Sequence, residues 1–235
     1  IWSYPAGWNM VDGIMNYHFA NCIYAYLKGE LKNVGSVLET TYLETENIYG
    51  CWNMLDSHDT ERLATVIENK NLRKLAIVMQ FTYPGVPVIY YGTEIGMKGG
   101  RDPECRAPMI WEEEKWDLDL LNFYRKLITI RKQEPALRFG TFKVLCEDPL
   151  VYLRKTPYPL HNMVIAINKD SVDKKITVSL TDGKLLAGQF VDLLTMEEFP
   201  LVSGTLRLKV KAKSFAMLKM RYYRNQGYDQ YRRIF

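Results

Sequence analysis

The segment Asp56-Ser57-His58-Asp59-Thr60 sets two carboxyls, two hydroxyls and an imidazole within five residues. An imidazole flanked by carboxylates holds one protonation state and orients a ligand hydroxyl. Paired by His58 or Arg62, Asp59 is expected to stay ionised and to face developing positive charge. The competing reading is local, because Asp or Thr ahead of Glu61–Ile67 also suits a helix N-cap. A second group lies in Gly99-Gly100-Arg101-Asp102-Pro103-Glu104-Cys105-Arg106, where opposed charges sit on a glycine-loosened backbone. Asp102 as acceptor and Arg106 as donor suit a hydroxyl-rich ligand; the alternative is a surface salt bridge. Tyr90-Tyr91-Gly92-Thr93-Glu94 adds a further carboxylate, and aromatics are dense nearby: Trp2, Trp8, Tyr17, Trp52, Trp111 and Trp116. Aromatic faces stack on sugar rings, although for Trp52 and Tyr90 core packing is the expectation.

Elements must hold these groups in place. Met10–Tyr17, Cys51–Leu55 and Val86–Tyr91 are apolar and aromatic runs of strand length. Between and after them, Ala20–Lys28, Ser36–Ile48, Arg62–Ile67, Asn71–Thr82 and Asp119–Lys132 carry helical spacing. Pro84-Gly85 closes the fourth of these helices, and Gly92–Lys115 is a long irregular loop. Strand and helix alternate, which argues for parallel βαβ units with chemistry at the strand ends. Three strands do not close an eight-stranded barrel, so the expectation is a part of one or a smaller open sheet. Beyond residue 135 the pattern changes. Phe142–Leu145, Leu150–Lys155, Asn162–Asn168, Lys174–Leu180, Gly188–Leu193, Thr205–Val210 and Ser214–Met220 read as strands separated by turns. That spacing predicts an antiparallel β-sandwich.

Composition excludes several classes. Of 235 residues, 47% are hydrophobic and 25% charged, a globular balance rather than a disordered one. No apolar run approaches the about 20 residues a membrane-spanning helix needs, so no membrane partner is expected. Ile-Trp-Ser-Tyr-Pro at the start has neither a basic n-region nor a cleavage site. Cys22, Cys51, Cys105 and Cys146 are scattered, with no Cys-x-x-Cys pair, which argues against structural zinc and for a reducing, cytoplasmic setting. The net charge is +4, and four Arg against one Asp in residues 221–235 supply most of it. A basic body that grips nucleic acid is therefore not indicated. The tail interleaves Arg with Tyr222, Tyr223, Tyr228 and Tyr231, which leaves single-stranded nucleic acid or a partner surface as a minor alternative.

Three ordered motifs carry a family resemblance. Ser57-His58-Asp59-Thr60-Glu61-Arg62 resembles the fourth sequence signature of the α-amylase superfamily, glycoside hydrolase family thirteen. Gly85–Met97 resembles that family's eighth barrel strand and the loop after it, and Arg101–Trp111 is similar to the extension of the neopullulanase, cyclomaltodextrinase and maltogenic amylase branch. Phe123–Pro135 resembles the helix leading into the family's C-terminal sandwich.

The resemblance implies an α/β plus all-β chain. Residues 1–135 would hold strands six to eight of a (β/α)8 TIM barrel, 136–220 the C-terminal β-sandwich, and 221–235 a basic aromatic tail. It implies retaining hydrolysis of α-glucosidic bonds in cyclodextrins, pullulan or maltodextrins. Asp59 matches the carboxylate that assists the transition state, and His58 the histidine that binds the sugar at the cleavage subsite. Asp102 and Arg106 match positions that bind the next glucose, and Trp2 matches the aromatic just after the acid/base. In this branch the acid/base is a Glu followed directly by Ile-Trp, and this sequence begins Ile1-Trp2. The expectation is that nucleophile and acid/base are both absent and that the chain alone is inactive. No cofactor is implied for these residues; a calcium site would depend on segments outside them. Ser57 stands where much of the superfamily has Asn, and Thr93 where the branch usually has Asp. Unpaired edges of strands six and eight predict a homo-oligomer. The alternative function is a non-catalytic carbohydrate-binding or interaction protein on the same fold.

Overall fold

The structure, a computed structural model, describes residues 13–181 and 185–223. Ile1, Trp2, Tyr4, Trp8, the start of the Met10–Tyr17 run and the tail from residue 224 lie outside the described residues.

Asn16 starts the first helix. Its side-chain oxygen accepts the Phe19 N–H (3.0 Å), and α1 (Tyr17–Lys28) runs on to Gly29, whose φ of +83° ends it. The helical spacing is obeyed, with Phe19, Ile23, Tyr26 and Leu27 buried. Next comes α2 (Val34–Glu44), whose Asn33 makes no side-chain cap. Glu147, 112 residues beyond Gly35, supplies the cap, accepting the N–H groups of Gly35 (2.8 Å) and Ser36 (2.6 Å). Then follow β1 (Trp52–Met54), α3 (Leu63–Val66), α4 (Lys70–Thr82) and β2 (Val86–Val88). β1 and β2 pair in parallel, Asn53 opposite Pro87, and Met15 makes a single parallel bridge to Trp52. Of the expected Met10–Tyr17 strand, the described residues keep this one bridge at Met15, while Tyr17 already opens α1 because Asn16 caps the helix there.

Polar side chains fix that pairing. Asn16 donates to Asn53 Oδ1 (2.9 Å), Asn53 donates to the Pro84 carbonyl (2.8 Å), and Gln80 donates to the carbonyls of Asn53 (3.0 Å) and Val88 (2.8 Å). All three side chains are buried or nearly so, where unmade bonds are costly.

Helices α5 (Leu118–Gln133) and α6 (Pro135–Phe139) lead into the β region. The seven expected strands are present, with small changes of boundary. They are β3 (Thr141–Glu147), β4 (Leu150–Lys155), β5 (Met163–Asn168), β6 (Lys174–Ser179), β7 (Gly188–Asp192), β9 (Thr205–Val210) and β10 (Ser214–Tyr223), joined by an unexpected β8 (Glu198–Val202). Pro200 lies inside β8, and a proline normally demotes a strand assignment. The antiparallel strands of the sandwich expectation are present, and their connection is closer than that expectation stated. The strands form one continuous antiparallel ladder in the order β3-β4-β5-β10-β7-β8-β9-β6, not two separate sheets. Its two ends, β3 and β6, meet, so the sheet curls nearly into a barrel.

Alternation along β4 and β5 explains why β5 is buried throughout and β4 is buried up to its last residue, Lys155. Val151, Leu153, Val164 and Ala166 point into the curled sheet with Phe190, Leu206 and Leu218. Leu150, Tyr152, Met163, Ile165 and Ile167 point the other way, into the core of α1, α2, α4 and α5. Two arginines reinforce this joint. Arg131 donates to the carbonyls of Phe81 (2.7 Å) and Gly85, and Arg154 to those of Thr82 and Gly140 (2.7 Å). The last carbonyls of α4 thus gain donors that the helix itself cannot give. Burial pushes both guanidiniums down to about 10.

Candidate functional site

The chemistry-bearing residues collect on two loops that follow parallel strands. Residues 55–62 follow β1, and residues 89–116 follow β2. Early in the second loop Gly92 holds φ +80°, a conformation that strains any L side chain, and a Cβ there would also push Met97 aside.

The first loop resolves the choice between capping and display. Asp56, not Asp59 or Thr60, serves the helix, its Oδ2 accepting the Leu63 N–H at 2.8 Å. Thr93 donates to both Asp56 oxygens (2.8 and 2.9 Å), so the loop after β2 is tied here to the strand end of β1. Burial raises the Asp56 carboxyl above the usual range, against the opposing pull of these bonds and of Arg62. Thr60 closes a tight turn, accepting the Ser57 N–H at 2.9 Å, and Ser57 Oγ accepts the Asp59 N–H at 3.1 Å. Asp59 is thereby released from capping and turned outward.

Asp59 then meets the second loop. His58 Nε2 lies 3.2 Å from Asp59 Oδ2, Arg106 Nη2 lies 3.0 Å from Asp59 Oδ1, and Arg106 Nε lies 3.2 Å from Asp102 Oδ1. Two donors converge on the His58 carbonyl, the Arg106 Nε–H and the Cys105 thiol, each at 3.1 Å. The side chains of His58, Asp59, Arg106 and Asp102 are 53%, 52%, 50% and 64% exposed. Exposed pairs of this kind contribute about 0–1 kcal/mol to stability. Their alignment therefore matters as a surface of fixed acceptors and donors facing solvent. Such a surface can bind vicinal hydroxyls and set a carboxylate against positive charge.

Four sequence-predicted residues, His58, Asp59, Asp102 and Arg106, thus come together; Trp2 lies outside the described residues. The expected partner of Asp59 is half right. His58 pairs with it, but Arg106 takes the place given to Arg62, which is fully buried elsewhere. Trp52 is corrected, since it is 49% exposed rather than core, while Tyr90 is half-buried beside Arg62. The salt-bridge alternative for Asp102 and Arg106 also holds, as one link of the chain. Sequence reasoning gave Arg62 a different role, as a partner of Asp59, and missed the bonds that Cys105 and Thr93 make across the two loops. Their partners lie 29 to 47 residues away, so the motifs that contain them do not show which groups they meet.

Residues 8–117 match the family model described as alpha amylase, catalytic domain. The chain is 34% identical over 218 residues to a cyclomaltodextrinase of Thermoanaerobacter pseudethanolicus, covering 89% of this chain and 37% of that protein. It is 34% identical over 221 residues to neopullulanase 2 of Thermoactinomyces vulgaris, covering 90% and 38%. The solved structure of Ttha1563 from Thermus thermophilus superposes with a TM-score of 0.83 at 28% identity, covering 94% of this chain and 51% of that one. The chain spans under two fifths of the length of the two curated relatives. Among the described residues, no helix is long and apolar enough to cross a membrane.

Proposed function

The chain belongs to the α-amylase family, and from that premise we propose that it supplies the transition-state and sugar-binding side of an α-glucan-cleaving centre. One observation carries this reading. The ion-paired chain His58–Asp59–Arg106–Asp102 is displayed at the ends of adjacent parallel strands.

A retaining glycosidase needs a nucleophile and an acid/base about 5 Å apart, and its transition state resembles an oxocarbenium ion. Asp59 is proposed as the third carboxylate, facing that positive charge. His58 and Arg106 grip its two oxygens from opposite sides, so the carboxylate need not reorganise as charge develops. His58 binds the sugar at the cleavage subsite, and Asp102 with Arg106 binds the next glucose. Trp2 is proposed to line the leaving-group side. The nucleophile and acid/base are assigned to barrel strands outside this sequence, so this chain alone is proposed to bind α-glucan oligosaccharides without cleaving them.

In the same reading, the Met15 bridge, β1 and β2 correspond to strands six, seven and eight of a (β/α)8 barrel, spanning 1–135. The curled sheet of 136–220 is the accessory domain, followed by the 221–235 tail. The two-stranded parallel sheet supports this with its order and direction. Four free cysteines support a reducing, cytoplasmic setting, and self-association is proposed through the parallel sheet's edges.

The test is calorimetric titration of the purified chain with maltotriose, beside reducing-sugar assays on β-cyclodextrin and pullulan. Binding that is weakened at least about tenfold by Asp102→Ala, with no sugar released, is the expected result. Release of sugar by this chain alone would overturn the division of catalytic groups. Absence of binding would overturn the assignment of the site.

A further inference from the structure

Arg62 is fully buried, and among the described residues its side-chain donors meet backbone carbonyls rather than a carboxylate, while its charge acts on the buried Asp56 without a direct bond. A guanidinium is expensive to strip of water, so its partners should reveal what it is for. Nε–H donates to the Cys105 carbonyl at 2.9 Å, and Nη1–H donates to the Tyr91 carbonyl. The planar group lies over the rings of Tyr90 (4.1 Å) and Tyr91 (4.6 Å). Its own backbone N–H donates to the Gly99 carbonyl at 2.9 Å. Gly99 admits this close fit, because a Cβ there would fall 2.5 Å from the Glu104 carbonyl oxygen and 3.2 Å from Arg62 Cγ.

The three carbonyls come from three points of the loop after β2: its start, its middle, and the residue next to Arg106. Arg62 itself stands three residues after Asp59. It therefore joins the loop that carries Asp59 to the loop that carries Asp102 and Arg106. On the opposite side, Cys105 and Arg106 return two bonds to the His58 carbonyl. Arg62 Nη2 is buried with no partner among the described residues, so the group is not placed to satisfy every donor. Its position follows the two carbonyls and the two rings. Only a planar fork can serve all four; an ammonium is a point charge with no stacking face.

We infer that Arg62 is a positioning residue, the post that sets the Asp102–Arg106 pair against Asp59. It acts through Tyr91 and Cys105 and touches no sugar. The functional part of this inference rests on the proposed glucan-binding reading; the structural part does not.

Cysteine labelling supplies a readout that separates positioning from general stability. Cys105 is buried at the post, whereas Cys22 and Cys51 are buried in the helical core. Wild type, Arg62→Lys and Arg62→Met are alkylated with iodoacetamide, each at the same interval below its own melting temperature. Peptide mass spectrometry then follows each thiol. In Arg62→Met, Cys105 is expected to label at least about tenfold faster, with Cys22 and Cys51 within about twofold of wild type. Arg62→Lys should fall between, keeping charge and one donor but losing the fork. Maltotriose affinity should fall in the same order. Parallel acceleration at all three thiols, or none at Cys105, would overturn the inference. If Cys105 alone accelerates but wild type binds no maltotriose, the post stands and the glucan reading fails.

Discussion

Changing Lys219 to Met leaves the Glu134 carboxylate at the joint between the helices and the curled sheet without its cation. Glu134 is 5% exposed, and its Oε1 accepts from Lys219 Nζ at 2.8 Å. Its Oε2 is buried with no partner among the described residues. The carboxylate therefore depends on one long-range contact, 85 residues apart in sequence. Removing one partner of a buried pair typically costs about 3–5 kcal/mol, and because Lys219 is a third exposed, solvent screening reduces this to about 2–3 kcal/mol. With a urea m-value of about 3 kcal/mol/M for a chain this size, the midpoint should fall by about 0.8 M. Urea denaturation followed by circular dichroism measures it. The double change Glu134→Gln with Lys219→Met removes both charges and should recover at least half of the loss, because a neutral amide needs no counter-ion. A single-mutant loss under about 0.5 kcal/mol, or a double mutant less stable than Lys219→Met, would refute the reasoning.

Three further outcomes are expected. Glu147→Ala strips the cap from α2, which has none of its own, and should cost about 1–2 kcal/mol by urea unfolding, with part of the loss disappearing in molar salt. Burial pushes Asp117 up, but bonds from Lys70 and the Leu120 N–H, with the charges of Lys70 and Arg73, hold its carboxyl below the ordinary value. Its contribution is thus present above the unfolded value of about 4 and lost as pH falls through the lower folded value, so Asp117→Asn should flatten the acid limb of melting temperature against pH. Arg106→Met should shift the melting temperature by no more than about 2 °C, since its ion pairs are half exposed, yet weaken maltotriose binding at least about tenfold in calorimetry.

Several features were open to reading from the chain alone, each for a local reason. Apolar spacing marked α1, α4 and α5, and Pro84-Gly85 marked the end of α4, because helix periodicity and its breakers act within a few residues. Strand β4 was found to the residue, as was β9, because turn residues bound both apolar runs. The pairing of polar types in Ser57–Arg62 and Gly99–Arg106 marked the residues that the fold brings together, His58, Asp59, Asp102 and Arg106. Contacts across the chain decided the rest. β8 was hidden by Pro200, whose place in the sheet depends on pairing with Gln189 of β7. One curled ladder replaced two sheets because β10 pairs with both β5 and β7, a choice that strand spacing does not encode. Asp59 was freed for display because Asp56 took the capping bond, and Arg106 rather than Arg62 reached it because Arg62 was drawn under the Tyr90 and Tyr91 rings. Sequence chose the chemical groups; tertiary packing chose their partners, because burial and long-range hydrogen bonds act between residues the chain keeps far apart.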